Sequence, residues 1–89
     1  IGDATAKRLS TLRELRKINL LGTKITDAGL RAIGTLPKLE MLSLYRTGVT
    51  DEGLSHLHGL PKLRLLAVGE TLVTKKGRMA IRRACPELK

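Results

Sequence analysis

The sequence predicts an α/β fold in which short units stack side by side, each contributing one strand and one helix. The first observation is a repeat, because ITDAGL at positions 25–30 returns as VTDEGL at positions 49–54. The second is a change of apolar spacing within a unit, from every second residue to every third. A unit this short cannot bury its own apolar side, so neighbouring units must bury it together.

Cutting the chain every 24 residues gives the units 1–24, 25–48 and 49–72 and a shorter last unit, 73–89. Equivalent positions then share a residue type in seven columns. These are Ile1, Ile25, Val49 and Val73; Leu9, Ile33, Leu57 and Ile81; Leu12, Leu36 and Leu60; Leu15, Leu39 and Leu63; Ile18, Leu42 and Leu66; Leu20, Leu44 and Val68; and Thr23, Thr47 and Thr71. One extra residue after Ile81 keeps the last unit in register and places Cys85 in a leucine column. We therefore predict a single domain over residues 1–89.

Within a unit, Leu42 and Leu44 lie two residues apart, which predicts a short strand with one inward face. Leu30 and Ile33 lie three apart, which predicts a helical turn. Thr26-Asp27 before that turn predicts an N-cap oxygen and an acid near the positive end of the helix. Parallel strands about 4.8 Å apart on one side and helices on the other follow from this order.

The composition predicts an aliphatic core, because apolar residues make up 42% of the chain while Phe and Trp are absent and Tyr occurs once. A single cysteine excludes an internal disulfide and favours a reducing compartment, so we favour a cytoplasmic location. No apolar run approaches the roughly 20 residues that span a bilayer, and the first residues carry no signal-peptide pattern. A membrane is therefore not a predicted partner.

The stretches LRKINLLGT (15–23), LEMLSLYRT (39–47) and LRLLAVGET (63–71) resemble the leucine-rich repeat signature L-x-x-L-x-L-x-x-N. The T-D-x-G-L that follows is similar to the subtype found in F-box proteins and in many bacterial repeat proteins. The resemblance implies a right-handed solenoid, or horseshoe, with short parallel strands on the concave face and short helices on the convex face. The chain departs from the family pattern in two respects. Threonine stands where the family has asparagine, and Arg78 stands at the position that is leucine in the two preceding units (Leu30 and Leu54).

A charged residue at position 78 suits a terminal unit whose outer side meets water. No comparable cap precedes Ile1, so the chain is predicted to be the C-terminal piece of a longer array. The hydroxyl of a threonine in the asparagine column can still bond the loop backbone, although with fewer donors than an amide.

No catalytic, metal or cofactor site is predicted, and the chain is predicted not to be an enzyme. His56 and His58 point in different directions and lack a further ligand, so we interpret them as surface or half-buried positions. Cys85 shares its column with leucines, which predicts a buried, inert thiol despite the neighbouring Arg82 and Arg83.

Two further columns are interpreted as structural. Asp3, Asp27 and Asp51 could suggest a calcium ladder, but Lys75 breaks the column and each aspartate stands where a helix start favours an acid. The second column, Gly29, Gly53 and Gly77, matches no phosphate-binding loop and predicts close packing of adjacent units.

The net charge of +9 raises the question of nucleic acid. The units carry +4, +1, −1 and +5 in chain order, from six, three, two and six basic residues against two, two, three and one acidic. A nucleic-acid groove needs a continuous basic stripe with aromatic side chains, which this distribution lacks. Nucleic acid is therefore the weaker alternative partner, at a candidate basic patch formed by Lys75, Lys76, Arg78, Arg82 and Arg83.

The outward strand positions remain, and the resemblance implies that such positions bind partner proteins. They are Lys17, Asn19, Leu21, Met41, Ser43, Tyr45, Leu65, Ala67 and Gly69, with Arg46 and Glu70 at the strand exits. Four of them are large and apolar, and such patches indicate contact. Tyr45 is the candidate anchor, since tyrosine is enriched among interface hot spots.

The predicted function is a non-catalytic scaffold module whose concave sheet binds a protein partner. One alternative is a structural C-terminal cap of a longer array. Another, from the subtype resemblance, is the substrate-recognition part of an F-box-like ubiquitin-ligase adaptor or of a bacterial effector. A third is that another segment of the parent protein covers this face.

Overall fold

The structure is a computed structural model and describes residues 2–88, so the predicted column member Ile1 lies outside it. Helices and strands alternate along the chain. They are α1 (Asp3–Leu9), β1 (Lys17–Asn19), α2 (Asp27–Ile33), β2 (Met41–Ser43), α3 (Asp51–Ser55), β3 (Leu65–Ala67) and α4 (Lys75–Ala84). The predicted α/β class is confirmed. Across residues 2–88, no helix has the length and apolar character needed to cross a membrane.

The three strands form one parallel sheet in the order β1-β2-β3. Residues 24 apart are direct partners, so Ile18 pairs with Leu42 and Leu42 pairs with Leu66. The helices follow the same order, since α1 contacts α2, α2 contacts α3, and α3 contacts α4. Successive units therefore pack on one another with equivalent side chains side by side.

The core is one aliphatic cluster between the sheet and the helices. Most of its members come from the predicted columns, and Leu20, Leu44 and Val68 are at most 9% exposed. Cys85 is 1% exposed, its Sγ lies 3.5 Å from the Leu57 carbonyl oxygen, and burial raises the pKa of its thiol. The predicted buried thiol is thus confirmed, and the higher pKa keeps it protonated and unreactive at neutral pH.

Burial falls off in the end units, where one prediction is wrong. Leu12, assigned to the column of Leu36 and Leu60, is 52% exposed. A unit at the end of a stack is covered from one side only, so a position that is buried in a middle unit faces solvent there. Leu66 in β3 is half-buried for the same reason, and Arg78 is exposed as the sequence predicts.

Threonines in the predicted asparagine position bond the loop backbone, as expected. Each hydroxyl donates to the carbonyl oxygen three residues earlier in the chain. The distances are 2.9 Å for Thr23 to Leu20, 2.7 Å for Thr47 to Leu44 and 2.6 Å for Thr71 to Val68. These bonds fix the turn that follows each strand.

The aspartates at the helix starts make contacts that the sequence reasoning missed. Each binds a threonine of the next unit through both carboxylate oxygens, in the pairs Asp3–Thr26, Asp27–Thr50 and Asp51–Thr74. In the middle pair, Asp27 accepts from the Thr50 backbone N–H at 2.8 Å and from the Thr50 hydroxyl at 2.5 Å. We call this series the Asp–Thr ladder. It joins consecutive units by charge-assisted hydrogen bonds.

The ladder also corrects the predicted capping by Thr26. Neither Thr26 nor Thr50 makes a side-chain cap hydrogen bond to its own helix. Their hydroxyl protons go to the preceding unit instead. At α4 the Thr74 oxygen does accept from the Gly77 N–H, at 3.4 Å. The aspartates still begin their helices, where an acid is favourable to the helix dipole.

The ladder predicts a loss of stability in acid. The Thr26 hydroxyl, followed by its N–H, lowers the pKa of Asp3, and Thr74 lowers the pKa of Asp51 in the same way. A carboxylate whose pKa is lowered by folding stabilises the fold above its unfolded pKa, and this contribution is lost as the pH falls through the folded pKa. We expect the free energy of unfolding, measured by urea denaturation, to fall below about pH 4.

The control for this pH dependence is the Asp3→Asn/Asp51→Asn variant. The reference protein and the variant should both carry Glu14→Gln. A hydrogen bond from Lys38 lowers the pKa of Glu14 as well, so Glu14 would add its own acid dependence. The variant should be less stable at neutral pH and should lose less stability on acidification. An unchanged dependence of stability on pH in the variant would show that Asp3 and Asp51 do not cause the acid effect.

Candidate partner-binding face of the sheet

The outward side chains of the three strands form one surface, which we call the sheet face. In each strand the middle residue points to the core and its two neighbours point away from it. Together with the strand backbone they line a shallow depression of about 500 Å³. Its outward side chains belong to Lys17, Asn19, Met41, Ser43, Leu65 and Ala67. The strand exits add Leu21, Tyr45, Arg46, Gly69 and Glu70, and none of these eleven residues is buried.

Large apolar side chains on this face are partly exposed. Leu21 is 54% exposed, and Leu65 is 38% exposed. Met41 is half-buried and is the direct strand partner of Leu65, so the two side chains are neighbours on one face. Lys17 is the one charged residue within the three strands. The centre of the face is therefore apolar and nearly uncharged.

The strand exits carry unusual backbone geometry. Gly22, Arg46 and Glu70 occupy equivalent positions, and their φ angles are 67°, 58° and 53°. Glycine adopts this left-handed conformation freely, whereas a residue with a side chain loses about 1 kcal/mol in it. Arg46 and Glu70 are thus retained where glycine would fit more easily.

These two residues meet Tyr45 in a cluster at the exit end of the face. The Tyr45 hydroxyl donates to the Glu70 carboxylate, and the Arg46 Nε lies 3.5 Å from Glu70 Oε2. The Arg46 guanidinium lies 5.5 Å from the centroid of the Tyr45 ring. Bonding to the negative carboxylate raises the pKa of Tyr45, so the phenol stays neutral.

The ring of Tyr45 is also held from below. A Cβ added at Gly69 would lie 2.5 Å from the ring carbon Cε2, so the ring rests directly against the Gly69 backbone. With its hydroxyl bound and its ring supported, Tyr45 has little freedom left to lose on binding. A rigid aromatic side chain of this kind suits an interface anchor.

A second charged cluster lies where the strands begin. Glu40 stands between two arginines, with one carboxylate oxygen 3.9 Å from Arg16 Nε and the other 3.9 Å from Arg64 Nη1. Exposed pairs such as these contribute only about 0–1 kcal/mol to stability. Their effect is to border the apolar centre with polar groups at both ends of the strands.

No protein-family model matches this chain. A search of the curated proteins finds no significant match. Alternation along each strand was the signal that predicted the outward residues, and the six of them that lie within the strands point away from the core. The cluster around Tyr45 was missed, although the 24-residue spacing of Gly22, Arg46 and Glu70 marks a shared position.

The candidate basic patch lies on α4, away from the sheet face. Its five residues are Lys75, Lys76, Arg78, Arg82 and Arg83, and all are exposed. Within residues 2–88, none of them has a carboxylate oxygen within 4.0 Å. The exposed Met79, at 47%, lies among them. This patch is a second surface, distinct from the face in both position and charge.

His56 and His58 lie half-buried in the turn that follows α3. Across the part of the chain that the structure describes, no group of three or more His, Cys, Asp or Glu side chains could hold a metal ion. These histidines occupy the surroundings that the sequence analysis assigned to them.

Proposed function

We propose that the chain is a leucine-rich repeat module of the solenoid type, without catalytic activity, and that its sheet face binds a protein partner. The 24-residue register of the parallel strands supports the repeat assignment. So does the row of helices in which each helix contacts the next. The handedness and the curvature of the horseshoe belong to the proposal.

The observation that carries the proposal is the uncovered apolar centre of the sheet face. Leu21, Met41 and Leu65 lie on a surface bordered by the charged clusters of Glu40 and Glu70. Protein–protein interfaces have this anatomy, with an apolar centre inside a polar rim. The fixed ring of Tyr45 beside this centre supplies the anchor that hot-spot residues provide.

The backbone at the strand exits supports the same conclusion. Arg46 and Glu70 keep a left-handed conformation that costs about 1 kcal/mol each, whereas Gly22 fills the equivalent position without cost. Backbone strain of this kind concentrates at functional sites. We infer that the side chains of Arg46 and Glu70 are retained because they orient Tyr45 and contact the partner.

The charge of the face favours protein over nucleic acid. Lys17 is the sole cation within the strands, and the nearby arginines at both ends already have carboxylate neighbours. Nucleic-acid binding needs free cations along a track for the phosphates, together with stacking aromatics. A partner that offers apolar side chains and hydrogen-bonding groups matches this surface better.

The size of the face limits the expected affinity. Three strands about 4.8 Å apart and about five residues long give a patch of roughly 10 by 16 Å. A standard interface covers about 800 Å² on each partner. Binding by these three strands alone should therefore be weak, and further strands of a longer array would strengthen it.

The proposal can be tested by selecting peptides from a random displayed library on the immobilised chain. Met41→Asp places a charge in the apolar centre, and Tyr45→Ala removes the anchor. We expect each change to weaken the selected peptides at least about tenfold, as hot-spot changes do, with little change in melting temperature. Met79→Asp is the matched control, because it makes the same change at an exposed methionine outside the face. If Met79→Asp weakened peptide binding as much as Met41→Asp does, or if Met41→Asp did not weaken it, the sheet face would be excluded as the binding site.

A second candidate function, a C-terminal cap, is favoured by the end of the Asp–Thr ladder. Lys75 occupies the position of Asp3, Asp27 and Asp51, so α4 offers no carboxylate to the threonine of a further unit. Arg78 adds a charge where the two middle units bury Leu30 and Leu54. A chain that acts only as a cap would tolerate Met41→Asp without losing any interaction, which separates the two functions.

A further inference from the structure

Within residues 2–88, the row of helices ends in charged side chains, whereas the row of strands ends at β3, whose outer edge pairs with no further strand. Between units, one backbone N–H after each strand donates to the next strand. Leu20 donates to the Ser43 carbonyl oxygen at 2.9 Å, and Leu44 donates to the Ala67 carbonyl oxygen at 2.8 Å. The third member of this series, the Val68 N–H, has no acceptor within residues 2–88.

A second series runs parallel to the first, two residues further along. Gly22 donates to the Tyr45 carbonyl oxygen at 2.9 Å, and Arg46 donates to the Gly69 carbonyl oxygen at 3.0 Å. The equivalent N–H of Glu70 likewise has no acceptor in the described part of the chain. Val68 and Glu70 thus present two donors at the spacing that an added strand needs.

A small apolar pocket accompanies this edge. It measures about 50 Å³ and is lined by Leu66, Val68, Arg78, Ile81, Arg82 and Leu88. Leu66 is half-buried there, whereas its strand partner Leu42 is fully covered. Side chains of a strand alternate between its two faces, so an added strand would direct one short aliphatic side chain into this pocket.

The charges around the pocket indicate the chemistry of the occupant. Arg78 and Arg82 are exposed at its rim, and the unit that contains them carries +5. A second copy of the chain is a poor complement, because residues 1–24 at the opposite end of the stack carry +4. Pairing two β3 edges would bring two basic α4 helices together. An acidic segment is favoured by the same electrostatics.

We propose that the β3 edge binds an extended, acidic peptide segment of a partner protein by strand addition. The peptide backbone accepts hydrogen bonds from the Val68 and Glu70 N–H groups. One aliphatic side chain of the peptide enters the pocket beside Leu66, and a carboxylate two residues away, on the same face of the added strand, pairs with Arg78 or Arg82. This surface differs from the sheet face, and the proposal does not rest on partner binding there.

The test titrates a synthetic peptide, acetyl-Glu-Thr-Val-Thr-Glu-amide, into the ¹⁵N-labelled chain, because its valine and both glutamates project from one face of an added strand. We expect the Val68 and Glu70 amide signals to move downfield and their exchange with solvent to slow, because both gain acceptors. The analogue with Gln for Glu should bind at least about tenfold more weakly at low salt, since it lacks the charges that pair with the arginines.

Charge-reversal variants locate the contact. Arg78→Glu and Arg82→Glu should each weaken the acidic peptide at least about tenfold. Arg31→Glu makes the same change on the exposed surface of α2 and should leave binding unchanged. Met41→Asp should also leave it unchanged, so a failure of the sheet-face proposal would not be mistaken for a failure of this one.

Three outcomes would overturn the proposal. In the first, the peptide binds without shifting or protecting the Val68 and Glu70 amides, which would indicate charge attraction alone. In the second, a single-stranded oligo-dT protects these amides as well as the peptide does, which would assign the surface to nucleic acid. In the third, the amides become protected with rising protein concentration and no peptide, which would assign the edge to a second copy of the chain.

Discussion

Replacing Leu44 with alanine is expected to lower the free energy of unfolding by about 3 kcal/mol. Leu44 is 0% exposed and follows the central strand β2, in the column between Leu20 and Val68. Alanine would leave a cavity walled by units on both sides, which the parallel strands cannot close without breaking their register. Since small domains have about 5–15 kcal/mol of total stability, the loss should be plain in urea denaturation.

Leu12→Ala is the matched control for this change. It removes the same atoms from a leucine that the 24-residue spacing places in a core column but that is 52% exposed. We expect its effect on the free energy of unfolding to stay within about 0.5 kcal/mol. Comparable losses at Leu12 and Leu44 would contradict the burial pattern at the end of the stack.

The contrast between these leucines shows what the sequence could predict. A column of aliphatic residues at constant spacing predicted both the strand register and the inward face, because only one stacking brings those side chains together. Periodicity gives every member of a column the same surroundings, however. Leu36 has neighbouring units on both sides, whereas Leu12 belongs to the first unit, so burial at the ends depends on a neighbour rather than on the residue.

The Asp–Thr ladder was missed for a related reason. The sequence reasoning related Thr26 and Asp27 to their own helix, since capping is a local contact. In the structure Asp27 accepts hydrogen bonds from Thr50 of the next unit, 23 residues later in the chain. The spacing of 23 residues is visible in the sequence. The hydrogen bonds form because α2 and α3 pack against each other, which the sequence does not show.

Part of the candidate site could likewise be predicted from the sequence, and part could not. Strand alternation was sufficient to predict which residues point outward on the sheet face. The bond from Tyr45 to Glu70 depends on left-handed backbone at Arg46 and Glu70, a conformation that neither arginine nor glutamate favours, so no propensity could have indicated it. The candidate site at the β3 edge likewise depends on which backbone donors lack acceptors among residues 2–88, and side-chain patterns carry no information about that.

Replacing Gly53 with alanine is expected to lower the free energy of unfolding by about 2 kcal/mol, although alanine normally favours a helix by about 1 kcal/mol over glycine. Gly53 lies buried in α3, and a Cβ there would collide with Asp27 Oδ1 and lie 3.1 Å from the Asp27 Cβ. The carboxylate would have to move and would lose its bonds to Thr50. Gly59→Ala is the control, since a Cβ at Gly59 has nothing within 4 Å.

A double-mutant cycle separates this collision from a general intolerance of alanine in α3. Asp27→Ala alone should destabilise, because it leaves the Thr50 donors without their acceptor. In that background the carboxylate is gone, so Gly53→Ala should cost less than about 0.5 kcal/mol or should stabilise through helix propensity. The two changes are then strongly coupled, as residues in direct contact are. If Gly53→Ala cost the same in both backgrounds, the glycine column would serve the packing of α3 itself and not the space that Asp27 needs to bind the next unit.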